Sequence, residues 1–188
     1  KTMKIAVITG ASSGMGREFV LQLSRQEPFE EIWVIARRAE RLEELKQLVS
    51  TPLRIVPLDL SAKPGWDAYA ALLAAEKPDV RVLVNASGFG RFGTYADIPL
   101  SDSLAMIDLN CKGLVAMTEL TLPYMHEGAK ILQLDSLSSF QPVPYINVYG
   151  ATKAFVLSYA RALNVELKPR KIRCMAMCPG WVQTEFFD

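Results

Sequence analysis

Six short apolar runs punctuate the chain: KIAVIT at 4–9, EIWVIA at 31–36, LRIVPL at 53–58, VRVLVN at 80–85, KILQLD at 130–135 and KIRCMAMC at 171–178. Several are apolar at consecutive positions, the mark of strands covered on both faces. Between them, apolar positions recur at helical spacing over 14–26, 39–49, 65–76, 101–126 and 148–167. Pro64 near the start of the third stretch, Ser101 at the head of the fourth and Pro169 just past the fifth are fitting start and stop signals. Strand and helix alternating through short connections predict right-handed crossovers and an α/β fold, a doubly wound parallel sheet flanked by helices. Ligands of such a sheet bind at the carboxyl ends of its strands. The pattern shows no repeat, low-complexity tract or linker, so one domain over 1–188 is expected.

Composition narrows the partners. Half of the 188 residues are apolar, enough for one substantial core. A net charge of +1, without a basic stripe, gives no reason to expect nucleic acid or an anionic membrane surface. No apolar run is long enough to cross a bilayer and no signal-peptide pattern opens the chain, so a cytoplasmic protein with a small-molecule partner is expected. Cys111, Cys174 and Cys178 lack paired spacing, and His126 has no neighbouring ligand type. They read as free thiols without a metal site.

The first run ends in glycines: Gly10, Gly14 and Gly16, with Ser12 and Ser13 between them. A strand that turns into a helix through glycines can aim peptide N–H groups at an anion, with the helix dipole adding to the attraction. A tight turn without a ligand is the competing reading. At the end of the second strand, where a dinucleotide site ordinarily holds the ribose hydroxyl with a carboxylate, the chain reads Ala36-Arg37-Arg38. Guanidiniums there suit a 2′-phosphate and favour NADP(H) over NAD(H). Arg37, Arg38 and Arg41 could also be a solvated helix start, although cations there oppose the helix dipole.

In YGATK, Tyr149 and Lys153 stand at i and i+4, on one face of a helix. The apolar run after Lys153 is poor company for a purely solvating lysine. An ammonium about 4 Å from the phenol favours tyrosinate by up to roughly 4 kcal/mol at an effective dielectric of about 20. That would carry a tyrosine from about 10 toward about 7, where it exchanges protons at working pH.

TGASSGMG at 9–16 together with the Tyr149/Lys153 pair resembles the short-chain dehydrogenase/reductase family. Further matches follow in order: Asp59, NASG at 85–88, Asn110, Ser136, and PGWVQT at 179–184. The resemblance spans almost the whole chain and implies a Rossmann-like, nicotinamide-dependent oxidoreductase acting on an alcohol or carbonyl. It implies that Tyr149 is the general acid in reduction and the base in oxidation. By the same resemblance Lys153 would lower the tyrosine pKa and hold the nicotinamide ribose, Ser136 would bind the substrate oxygen, and Asn110 would keep a water-linked proton relay in place. Gly10, Ser12, Ser13, Gly14, Met15 and Gly16 would line the phosphates, Arg37 with Arg38 the 2′-phosphate, and Asp59 with Leu60 the adenine. Asn85, Ala86, Ser87 and Gly88 would form the adenosine side of the cleft. Pro179, Gly180, Val182 and Thr184 would form the nicotinamide end, with Thr184 reaching the carboxamide.

Two departures bear on function. NASG stands where the family commonly has Asn-Asn-Ala-Gly, and the sequence stops at Phe187 and Asp188, where the resemblance implies a substrate lid, a further helix and a seventh strand. Phe89, Phe92, Phe140, Pro142, Tyr145 and Trp181 are expected near the cleft and suggest an apolar substrate, although each could equally be packing. The family makes a homodimer or homotetramer through the helices at 101–126 and 148–167 the expected assembly. The competing functional class is a dinucleotide-binding sensor or scaffold without useful turnover.

Overall fold

A computed structural model describes residues 2–26, 28–182 and 184. Gln183, Phe187 and Asp188 lie outside the described residues. Six parallel strands form a single sheet: β1 (Lys4–Thr9), β2 (Glu31–Ala36), β3 (Leu53–Pro57), β4 (Asp79–Asn85), β5 (Lys130–Leu134) and β6 (Arg173–Met177). They stand in the order β3-β2-β1-β4-β5-β6. The chain builds outward from β1 in one direction, then crosses back to build outward from β4 in the other. The crevice at that reversal is where an open α/β sheet receives its ligand.

The consecutive apolar runs have the expected cause. Ile5 and Val7 of β1 bury into one layer with Trp33, Leu83 and Ile131, while Ala6 and Ile8 bury into the other with Ile32, Val34 and Val84. Successive side chains alternate between faces, and both faces are core. Helices α1 (Gly14–Gln26), α2 (Ala39–Lys46), α3 (Lys63–Glu76) and α6 (Asn147–Glu166) fall where the periodicity predicts them. α2 stops short of residue 49 because the amides of Gln47 and Leu48 tighten onto the carbonyls of Glu44 and Leu45, three residues back. β6 starts two residues later than expected because Lys171 takes a left-handed conformation, φ +53°.

The stretch expected as one helix over 101–126 is built in pieces: α4 (Leu100–Ile107), a π-helical turn at Asp108–Gly113, α5 (Leu114–Thr121) and a 3₁₀ turn at Leu122–Tyr124 that carries Pro123. Gly113 closes the π turn against the carbonyl oxygen of Leu60; a β-carbon on Gly113 would lie 2.4 Å from it. The absent side chain lets the loop after β3 dock there. Among the described residues, no helix is long and apolar enough to cross a membrane.

Candidate active site

The turn between β1 and α1 is made by backbone packed on backbone. Gly10 has φ +64°, and a β-carbon on it would lie 2.5 Å from the Ala86 carbonyl oxygen. One on Gly16 would lie 2.2 Å from the carbonyl oxygen of Gly10. These two glycines bring the β1 turn, the start of α1 and the loop after β4 together, so their place in the turn rests first on internal packing. Thr9 completes the junction: its buried hydroxyl accepts from the amides of Ala86 at 3.0 Å and Ser87 at 3.1 Å.

A cavity of about 470 Å³, in the usual size range of a small-molecule site, runs along these loops. Its wall includes Gly10, Ser12, Ser13, Gly14, Met15 and Gly16 from the first turn, Arg37 and Arg38 after β2, Asp59 and Leu60 after β3, and Ala86, Ser87 and Gly88 after β4. Asp59 is set by a local turn, its Oδ1 accepting from the Ser61 amide at 2.9 Å and hydroxyl at 2.7 Å. Those bonds, with a smaller contribution from the Arg37 guanidinium, hold its carboxyl below the usual range. Amide donors at a helix start, hydroxyls and two exposed guanidiniums form a donor set that fits an anionic dinucleotide.

A second cavity of about 240 Å³ adjoins it, lined by Ser136, Tyr149, Lys153, Pro179, Gly180, Val182 and Thr184. Met15, Ala86, Gly88, Leu134 and Thr184 border both. Tyr149 and Lys153 project from α6, and both are buried. Lys153 Nζ lies 5.7 Å from the centre of the Tyr149 ring and donates to the Leu134 carbonyl at 2.9 Å. Ser136 Oγ accepts from the amide of Ser138 at 3.2 Å and its hydroxyl at 3.0 Å, which directs the Ser136 proton elsewhere. Ser139 is turned to the Ser136 carbonyl at 2.7 Å.

The expected acidification of Tyr149 is reversed here. Burial raises its pKa above the ordinary value, the side-chain hydrogen bond with Ser136 pulls it down, and Asp135 pushes it up again. Lys153 is pushed down to about 8 by burial, against the opposing pull of Asp135. Lys153 spends a donor on the backbone, and desolvation decides the direction for both groups.

Asn85, expected on the adenosine side of the cleft, and Asn110, expected to keep a proton relay in place, make their hydrogen bonds within the fold. Asn85 is in the core, its amide donating to Thr118 at 3.0 Å and Gln133 at 2.8 Å, and its side chain does not line the dinucleotide cavity. Asn110, at the π turn, donates to the Phe89 carbonyl at 3.0 Å and Thr152 at 3.1 Å and accepts from the Phe89 amide at 3.1 Å. Its side chain braces the loop after β4 against α6 and lines neither cavity.

Of the aromatic set, Phe89 borders the larger cavity and Trp181 the smaller, and Phe92 stacks on Trp181 at 5.6 Å. Phe140, Pro142 and Tyr145 are exposed. Cys111 and Cys174 are buried thiols and Cys178 is half-buried. Asp135 is a lining residue the sequence reading missed. Its signal was an acid ending an apolar strand immediately before Ser136.

The short chain dehydrogenase family profile matches residues 4–188. Sulfoacetaldehyde reductase 2 of Chromohalobacter salexigens is 35% identical over 188 residues, covering 97% of this chain and 74% of that protein. The NADP-dependent 3-hydroxy acid dehydrogenase YdfG of Escherichia coli is 35% identical over 190 residues, covering 97% and 74%. Among solved structures, a closed form of serine dehydrogenase complexed with NADP+ is 33% identical with a TM-score of 0.85, covering 97% of this chain and 74% of that one. A short-chain dehydrogenase from Sphingobium yanoikuyae in complex with NADPH is 26% identical with a TM-score of 0.86, covering 98% and 73%.

Proposed function

We propose, because the chain belongs to the short-chain dehydrogenase family of oxidoreductases, that it reduces a ketone, aldehyde or 3-oxo thioester with NADPH. The observation that carries this reading is the meeting of Tyr149, Ser136 and Lys153 around one cavity that opens onto the glycine-turn cavity. A bound NADPH supplies the hydride. Gly10 to Gly16 would hold its diphosphate, Arg37 with Arg38 its 2′-phosphate, Asp59 the adenine side, and Lys153 the nicotinamide ribose. In the proposed reduction Ser136 donates to the substrate carbonyl oxygen, and Tyr149 hands its phenolic proton to that oxygen as the carbon is reduced. A phenol raised by burial stays protonated at neutral pH, which suits the reductive direction. The Lys153 ammonium then faces the tyrosinate that remains.

Leu137, Val143, Ile146, Trp181 and Val182 make much of the smaller cavity apolar, which supports an apolar substrate body beside the carbonyl. Exposed Leu100, Leu104 and Ile107 on α4, with Phe155 and Val165 on α6, support a homodimer or homotetramer through these helices. The alternative, a dinucleotide-binding sensor or scaffold that keeps the cleft without useful turnover, is motivated by the altered stretch at 85–88 and is separated from the enzyme by turnover. The test mixes the full-length protein with NADPH and a carbonyl panel and follows nicotinamide absorbance. Turnover is expected; its absence across the panel at high enzyme concentration overturns the reading.

A further inference from the structure

The carboxylate of Asp135 has no part in the chemistry above, and yet the fold buries it, leaving the residue 3% exposed. Buried carboxylates are compensated by charge or by a full set of hydrogen bonds. Asp135 has an incomplete set: Oδ2 accepts from the Cys178 thiol at 3.5 Å, the Ser136 amide and Ser139 hydroxyl give the carboxyl lesser support, and Oδ1 has no hydrogen-bond partner. Its backbone is pinned by the bond from its amide to the Met177 carbonyl at 2.7 Å, so the side chain is held at the end of β5. Lys153 is anchored one residue away, 2.9 Å from the Leu134 carbonyl, and both side chains border the smaller cavity.

We propose that Asp135 is a positioning residue, the counter-charge that keeps Lys153 an ammonium in the cofactor-free protein. The two are buried on one cavity wall without a direct ion-pair contact, Lys153 on the carbonyl of the residue before Asp135 and Asp135 with one oxygen unmatched. Their mutual influence agrees with this: Asp135 favours the charged lysine, and Lys153 favours the ionised carboxyl, each against the cost of burial. The other groups facing the pair are neutral: the Cys178 thiol beyond β6, the Cys111 thiol on the π turn, the Tyr149 phenol on α6, and the hydroxyls of Ser136 and Ser139. Burial raises the Cys111 and Cys178 thiols, so neither offers Lys153 a negative charge, and burial raises the Asp135 carboxyl too, with Lys153 the largest influence drawing it back. The functional consequence rests on Lys153 holding the cofactor ribose as proposed above, whereas the pair itself does not.

The test is direct titration of Lys153 by its ¹³Cε resonance in ¹³C-lysine-labelled full-length protein, assigned by its loss in Lys153→Met and followed from about pH 6 to about pH 11. Asp135→Asn is expected to lower the Lys153 midpoint by about one pH unit or more, the scale of losing a near opposite charge. In parallel, Asp135→Asn is expected to weaken NADPH binding more at pH 8 than at pH 6. An unchanged midpoint overturns the proposal. Should Asp135→Asn fail to fold, the ¹³Cγ resonance of Asp135 in the unsubstituted protein decides. An ionised carboxyl at neutral pH whose shift follows the lysine titration supports the pair, and a protonated one overturns it. A normal pairing in a protein that reduces no carbonyl would overturn the proposed activity alone.

Discussion

The two cavities meet along the loop after β4 and are built by opposite means. The larger is shaped mainly by backbone: glycines packed on carbonyls, a local turn at Asp59, and exposed guanidiniums at the rim. The smaller is shaped by buried titratable side chains, Asp135, Tyr149 and Lys153, whose proton affinities are all displaced by loss of solvent. The first construction fits recognition of a large anionic ligand through many modest contacts. The second concentrates its effect on a few atoms, since in a desolvated site each missing partner is costly.

Four perturbations sharpen or break that contrast. The largest effect is expected from Tyr149→Phe, which removes the proton donor and should lower kcat by about 10² to 10⁴-fold while NADPH affinity, measured by calorimetry, stays close to the original. A variant that keeps most of its turnover would end the distinction between the two halves. Next is Gly16→Ala, whose β-carbon would meet a backbone oxygen at 2.2 Å. It should cost about 1–3 kcal/mol in urea unfolding, whereas Gly14→Ala meets only the Thr184 side chain, at 3.5 Å, and carries the lesser strain of φ +53°. Equal losses at both positions would contradict the backbone packing described for Gly16.

Arg37→Ala acts at the exposed rim and should reduce the preference for NADPH over NADH by about tenfold, read as convergence of the melting-temperature shifts that the two cofactors produce. If the unsubstituted protein already shows equal shifts, the role given to Arg37 is removed. The smallest signal is a slope. Folded Lys153 releases its proton near pH 8 while the unfolded chain keeps it to 10.5. Between those values the unfolded state binds more protons, so the burial cost of the ammonium, complete below pH 8, is relieved as pH rises. The Tm of the unsubstituted protein, taken relative to that of Lys153→Met, should therefore rise across that window, and a constant difference would show that Lys153 titrates as a solvated lysine.

Much of this was legible in the chain because strands buried on both faces carry consecutive apolar residues, a signal that survives without tertiary information. Gly10, Gly16, Tyr149 and Lys153 were legible for a related reason, since each depends on neighbours close in sequence. The π turn was not, because the apolar pattern of 101–126 does not register the local widening at Asp108–Gly113, where the Leu60 carbonyl approaches Gly113. The hydrogen-bond partners of Asn85 were not legible because Thr118 and Gln133 are 33 and 48 residues away. Asp135 was passed over for the same reason: its placement depends on Cys178, 43 residues downstream, and on Lys153.

Ala86 and Gly88 stand in the partition between the two cavities and face both of them. A change at either residue would be felt by two ligands at once, so altered substrate choice and altered cofactor choice cannot be pursued separately at those positions. Gln141, Val143 and Ile146 border the smaller cavity alone. That stretch is where a new substrate preference could be installed while the dinucleotide half keeps its shape.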